Sequence, residues 1–333
     1  LSEKDILQVT LKEFNNFILN PENAFYWGYF AFYLLTLIFL FHYKVYKKEE
    51  GLSWRSFLSF CFPAHIYGHP SFKEDIFFSL FQVVSIVFVK FIKLFTEVGI
   101  ITFFIMLVES NLLALYKGGS PFFEQISRQN IFYFLLLFLV FDFGNFIGHY
   151  LLHKIPFLWE FHKVHHSAVK LNPLTQVRNH PMDDALRVIT RGISVGIFIG
   201  SYQFLFGNVP VNWLGTIIAI ELIYLLTFHL RHSHIWFSFG PFLSYLFISP
   251  AQHQIHHSCE IRHRDKNLGV ALSIWDFFFG CLYVPKEKEQ FTIGLSNARE
   301  QEELKGFWNL LIIPFKNSII ILFKLIFKRT KEK

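Results

Sequence analysis

Eight histidines fall into three tight groups: HYLLH at 149–153, HKVHH at 162–166 and HQIHH at 253–257. Imidazole is a strong ligand for first-row transition metals, and packing alone rarely gathers so many in an apolar chain. On a helix, positions four apart share a face, so His149 and His153 can reach one metal centre together. His162, His165 and His166 use spacings of three and one, which gathers them on one side yet fans them enough to meet two ions. His253, His256 and His257 repeat that arrangement. Three short helical segments could therefore enclose a metal pair from several directions.

Other histidines are candidates to complete the shell. His229 and His232 stand three apart in TFHLRHSH at 227–234, and His234 follows. His180, in RNHPMDD at 178–184, could bind metal or position substrate. His42, His65, His69 and His263 read as interfacial or loop residues. Eight or more imidazoles exceed what one zinc ion takes, whereas two Fe ions accommodate them and add redox chemistry. Zinc would be a non-native substitute without redox chemistry. A ligating imidazole commonly gives its second nitrogen to a carboxylate or carbonyl. The candidates for that outer role are Asp142, Glu160, Asp183, Asp265, Asn267 and Asp276, with Asp142 placed two helical turns before His149.

These histidines sit in a greasy chain of 333 residues: 53% hydrophobic, 20% aromatic and only 17% charged. Soluble domains usually carry more charge. The balance of 31 basic against 25 acidic residues gives +6, too mild to demand nucleic acid and suited to anionic lipid headgroups. Cys61, Cys259 and Cys281 are widely separated, so neither a disulfide framework nor a thiolate site is expected.

The reading is of four regions. Residues 1–22 lack a signal-peptide pattern and are expected to lie on the membrane. Residues 23–130 hold transmembrane helices and connectors, with spans at Asn23–His42, Ile76–Phe95 and Ile100–Tyr116. Residues 131–285 form a histidine-box domain with spans at Ile131–Gly148, Val188–Leu205 and Trp213–Phe228, the last two a hairpin turning at Gly207, Asn208 and Pro210. Residues 286–333 form an amphipathic tail, since Pro314, Lys316 and Lys324 interrupt Phe307–Phe327. Lys44, Lys47 and Lys48 argue that the first span ends in the cytoplasm. If the next three spans all cross, His149 emerges on the opposite side, so at least one is re-entrant, interfacial or misassigned. The excess of Lys and Arg over acid in Lys154–Arg191 favours a cytoplasmic metal site. The expected fold is all-α: a polytopic membrane helical bundle with a membrane-face helical cap holding a histidine-rich dimetal site.

Taken together, these motifs resemble the fatty acid hydroxylase and sterol desaturase superfamily of integral-membrane di-iron enzymes. The resemblance runs from Ile131 to Pro285. It takes in Asp142 before the first box, WEFHKVHHS at 159–167, NPLT at 172–175, RNHP at 178–181 and HS at 232–233. It continues through SPAQHQIHHS at 249–258 and DKNLG at 265–269, with Trp275, Asp276 and Gly280. Two departures stand out: Tyr150 where the family often has Arg, and His234 where it often has Asn. The resemblance implies O2 activation at two irons and hydroxylation or desaturation of an unactivated C–H bond. Electrons would come from an external donor such as a reductase, ferredoxin or cytochrome. No flavin or nicotinamide fingerprint is visible, so no bound flavin, NAD or heme is expected. A metal site at the membrane face suits a lipid reaching it from the bilayer, with Asn172, Arg178 and His234 near the substrate entrance. The alternative from another class is a metal transporter, which would distribute its histidines along a route rather than gather them.

Overall fold

A computed structural model describes residues 27–47, 51–115, 131–206 and 230–329. The described residues are helical, with no strand among them and two isolated bridges, Phe247 to Leu272 and Ser258 to Ile293. The long helices are α1 (Trp27–Tyr46), α4 (Pro70–Leu115), α5 (Ile131–Lys154), α7 (Pro181–Phe206) and α12 (Phe307–Arg329). Short helices complete the chain: α2 (Trp54–Cys61), α3 (Ala64–Tyr67), α6 (Pro156–His166), α8 (Gly240–Leu243), α9 (Pro250–His256), α10 (Ile274–Phe278) and α11 (Ala298–Glu303). Residues 1–22, the Gly207–Pro210 turn, the span at Trp213–Phe228 and His229 lie outside the described residues.

Three helices form the bundle. α5 runs antiparallel to α7: Tyr133 stacks on Phe198 and meets Tyr202 edge-on at one end, while Gly148 faces Arg187 and Thr190 at the other. The second half of α4 packs along α7, where Ile101 and Ile105 meet Val195 and Ile199. Two glycines allow these contacts. A Cβ on Gly144 would lie 2.7 Å from the Arg191 Cα, and one on Gly196 would lie 2.8 Å from the Ile101 carbonyl oxygen. Backbones this close exclude any side chain, as small residues permit between membrane helices. Outward-facing Phe103, Met106, Phe132, Leu135, Ile189 and Ile197 stay exposed, leaving an apolar surface suited to lipid.

Phe132–Lys154, Pro181–Phe206 and Phe307–Phe327 are long and apolar enough to cross a membrane. Two expectations are corrected here. The stretches expected as spans at Ile76–Phe95 and Ile100–Tyr116 are not separate helices: residues 76–115 lie within one 46-residue helix, α4. At 1.5 Å per residue that helix is about 69 Å long, roughly twice a bilayer's hydrocarbon thickness. Its first turns belong to the cap and its last to the bundle. The tail, expected as interrupted interfacial pieces, is one helix that continues through Pro314. Its first half lies on α6, where Leu310 packs with Val164 and Phe78.

The cap gathers at one end of the bundle. α1 delivers its C-terminal end there: Tyr33 and Leu37 pack on Cys61, Leu230 and Ile235, and Lys44 lies over the Phe60 ring. α5 ends there, and α4 and α7 begin there. Proline at the first turn opens both ligand-bearing cap helices, Pro156 on α6 and Pro250 on α9, where its missing N–H costs nothing. α9 is further fixed by a reciprocal cap between Ser249 and Gln252.

Candidate metal centre

The cap brings nine imidazoles into two adjoining groups. His149, His153, His162, His166 and His256 form one; His165, His232, His253 and His257 form the other, with ligand nitrogens within 4.8 Å of one another in each. The two HxxHH segments divide alike. Their i,i+4 pair faces one group and the residue between faces the other, so His162 and His166 join His256 while His253 and His257 join His165. The α-helical period imposes this split, because the fourth position lies well off the face shared by the first and fifth.

The nitrogens are aimed inward. His149 Nε2 lies 3.0 Å from His162 Nε2, which is 3.2 Å from His166 Nε2. In the second group His232 Nε2 lies 3.2 Å from His165, 2.9 Å from His253 and 3.2 Å from His257, all at Nε2. Metal–imidazole bonds of about 2.0–2.1 Å place neighbouring ligand nitrogens about 3.0 Å apart in an octahedron and about 3.4 Å in a tetrahedron. The observed spacing fits a ligand cage. Among the described residues the buried Nε2 atoms of His153 and His256 have no hydrogen-bond partner, a costly state for a buried polar atom unless a cation takes the lone pair. The donor set therefore fits a metal in each group.

The opposite ring edges fix the tautomers. His149 Nδ1 donates to the Leu268 carbonyl at 2.7 Å and His256 Nδ1 to the Lys266 carbonyl at 3.0 Å. His162 Nδ1 donates to Asp183 Oδ2 at 2.5 Å, and His153 Nδ1 to Asp265 Oδ1 at 3.3 Å. Each bond keeps the proton on Nδ1 and leaves Nε2 as the lone pair facing the group. The second group is held differently: among the described residues no acceptor meets the Nδ1 atoms of His165, His253 or His257. Burial, then neighbouring imidazoles, push His162, His165, His166, His253, His256 and His257 well below the ordinary 6.5. Neutral rings are the form that binds metal.

Several expected site residues stand elsewhere. His180 joins neither group: its Nε2 donates to the Leu311 carbonyl at 3.1 Å and its Nδ1 accepts from the Met182 N–H. With both nitrogens engaged it pins α12 to the start of α7. Asp142 touches no imidazole. It accepts from the Ala271 and Leu272 N–H groups and from Trp275 Nε1, because seven residues on a helix span about 10.5 Å, too far to reach His149. Glu160 lies two positions from His162, hence on another face, and pairs with Lys163 at 2.6 Å. Asp276 and Asn267 act one step out. Asp276 accepts from Leu268 and Gly269, while Asn267 bonds Gln252 and Tyr283, so both shape the loop whose carbonyls meet His149 and His256. Burial lifts the Asp276 carboxyl to about 7. Burial also opposes ionisation of Asp265, but its bonds to His153 and Lys154 outweigh that and hold it well below the carboxylate range.

Asn172 and Arg178 do not line an entrance. Arg178 is 1% exposed and pairs with Glu74 at 2.7 Å and Asp75 at 3.2 Å; Asn172 bonds Asp75 at 2.6 Å. Together they lock the loop after α6 to the start of α4. His234 lines a cleft but donates Nε2 to the Phe60 carbonyl at 2.8 Å, and burial holds its ring at about 4. His263, read as a loop residue, is fully buried between Ser258 and Glu289. Sequence reasoning missed Gln254, whose amide donates to the carbonyls of Ser233 and Ile235 and so fixes the turn carrying His232. Its position inside the third histidine group was the available signal. It also missed Asp75, which no local pattern marks.

Comparison with known proteins is consistent with this geometry. The sequence model of the fatty acid hydroxylase family matches residues 134–281, which include both groups. An ornithine lipid hydroxylase of Rhizobium tropici is 30% identical over 185 residues, 55% of this chain and 50% of that protein. Alkylglycerol monooxygenases are similar too. The Danio rerio protein is 27% identical over 183 residues (55% of this chain, 37% of the relative) and the Homo sapiens protein 28% over 151 (45% and 31%). The chain thus spans half or less of the length of these relatives. No solved structure gives a significant match.

Proposed function

We propose that this chain, whose residues 134–281 belong to the fatty acid hydroxylase family, hydroxylates an unactivated C–H bond of a membrane lipid using O2. The observation that carries the proposal is the pair of adjoining all-imidazole groups, five and four, at the end of an apolar bundle. The His149–His153–His162–His166–His256 group would hold one iron and the His165–His232–His253–His257 group the other. Bound there, the two irons would supply O2 activation and the oxidising power for C–H cleavage, with electrons from a separate donor.

The protein's own residues have three tasks. Asp183, Asp265 and the Leu268 and Lys266 carbonyls hold four imidazoles as Nδ1–H tautomers, so no proton must move before a metal binds. Burial of the rings keeps bulk water from the centre. The bundle's apolar surface leads a lipid from the bilayer towards the cap. Gathered histidines favour this reading over an ion route, along which ligands would be spread.

The metal groups are proposed to face the cytoplasm. Lys44 and Lys47 lie at the cap end of α1, which fits the excess of basic residues on the cytoplasmic side. With α4 a single crossing, α1 enters the cap side, α4 leaves it and α5 returns, so His149 emerges beside Lys44 without a re-entrant segment.

The test is iron-reconstituted protein with a chemical or enzymatic reductant, read by metal content, lipid-dependent O2 uptake and product mass. Two irons per chain and a product heavier by one oxygen are expected. A product lighter by two hydrogens would make it a desaturase. One iron, or two without lipid-dependent O2 uptake, refutes the proposal.

A further inference from the structure

A cleft of about 310 Å³ opens where α3 meets the cap, lined by His65, Lys170, Ser233, His234, Phe291 and Thr292 among others. Its walls are continuous with the metal groups. Ser233 follows His232, Lys170 lies four residues after His166, and the opposite wall is tied back by Gly294 N–H to the His257 carbonyl and by the Ser258–Ile293 bridge. Among the described residues no carboxylate lines it. The nearest acid along the chain, Glu289, is already engaged by Arg262, His263 and Tyr283. The titratable groups around His234 are His65, Lys44 and Lys288, all basic residue types.

An apolar surface lies on the neighbouring helix α2, joined to the cleft through the Phe60 carbonyl that accepts from His234. Leu52, Trp54, Leu58 and Phe62 on and around α2 are 40–72% exposed, beside the end of the apolar helix α1. An amphipathic helix with Trp on its outer face suits the headgroup level of a bilayer. The cleft is thus lined by basic groups, adjoins an amphipathic helix and is joined to the segments that carry the imidazoles. Its volume lies at the low end of ligand pockets, roughly 300–1,000 Å³, so it suits a headgroup rather than a whole lipid.

We propose that this cleft receives the anionic headgroup of the lipid substrate, so that the substrate is a phosphate- or carboxylate-bearing polar lipid held chiefly by Lys170 and His65. The assignment rests on the lipid hydroxylase reading above. His234 is not the cation: its Nε2–H is committed to Phe60, and the ring forms a neutral wall. A headgroup fixed here would direct the attached chain beside His232 and its neighbours.

The experiment uses the full chain in detergent, titrated with soluble dihexanoyl-phosphatidylglycerol, with dihexanoylglycerol and with inorganic phosphate, followed by tryptophan fluorescence or calorimetry. The wild type should bind the phosphate-bearing lipid roughly tenfold tighter than the neutral one, with inorganic phosphate weaker than either. K170E should abolish that preference, K170Q should reduce it, and K286E, an exposed lysine outside the cleft, should retain it. In turnover with a long-chain anionic lipid, K170Q should raise KM and leave kcat within about twofold, the signature of lost ground-state binding. Equal affinities for the two lipids, phosphate binding as tightly as the lipid, or lost binding with unchanged KM would each overturn the proposal. The binding arm needs neither O2 nor reductant. A headgroup preference without turnover therefore counts against hydroxylation alone, and turnover indifferent to headgroup counts against the cleft alone.

Discussion

Asp183→Asn should weaken one metal group and spare the other. Asp183 is fully buried, accepts the His162 Nδ1 proton at 2.5 Å and holds Arg187 Nε at 2.6 Å. An asparagine there either keeps its amide oxygen on the His162 Nδ1–H and sets its NH2 against the Arg187 Nε–H, or turns its NH2 to the ring and forces His162 to carry its proton on Nε2. The second outcome removes a ligand from the five-imidazole group; the first leaves a buried donor unmatched. Losing such an outer partner typically costs about 10–100-fold in metal affinity, about 1.4–2.7 kcal/mol. Asp183 acts on the first group through His162, whereas the other group is built from His165, His232, His253 and His257, so the affinity of that group should change by less than about twofold. Graded chelator competition followed by metal analysis resolves the two: D183N should release one ion early and hold the other as the wild type does. Arg187→Gln, which leaves the carboxylate on His162, controls for the lost ion pair. Simultaneous loss of both ions, or release indistinguishable from the wild type, would refute the division into two groups.

Arg178→Ala should act on folding, not on substrate affinity, because it strands the buried Asp75 carboxylate; a cost of about 3–5 kcal/mol should appear as a lower melting temperature in detergent. His180→Gln should keep two ions per chain by metal analysis, since neither ring nitrogen faces the groups. Gly196→Leu should cost about 1–3 kcal/mol by forcing α7 off the Ile101 backbone, read by thermal unfolding. Metal-free protein should lose stability as pH falls below 6.5. The cap imidazoles are depressed in the fold, so the unfolded chain binds more protons in that window and acid favours unfolding. Melting temperatures from pH 7.5 to 5 check the sign; a rise on acidification would contradict it.

The ligands were legible because helical spacing is local: an i,i+4 pair and its interposed neighbour already say which rings can share a face. Fold class was legible for the same reason, since apolar length is a local property. The crossing pattern was not. Thr96, Glu97 and Gly99 separate residues 76–95 from 100–115 and read as a break, yet the helix runs through them as one α4.

The outer shell was legible only in part, and the cause is chemical. His149 and His256 use backbone carbonyls, at Leu268 119 residues away and at Lys266. Every residue carries a carbonyl, so no side chain can announce that role. What the sequence does display are the residues that shape such a loop: Asp276 and Asn267, both expected on imidazoles, stand one bond further out because the loop backbone came between. Asp142 follows the same logic, bonding the loop at 271–275 rather than a ligand. A carboxylate near a histidine box is therefore better read as a brace for the backbone that meets the imidazole, unless helix geometry brings it within reach of the ring, as the first turn of α7 does for Asp183.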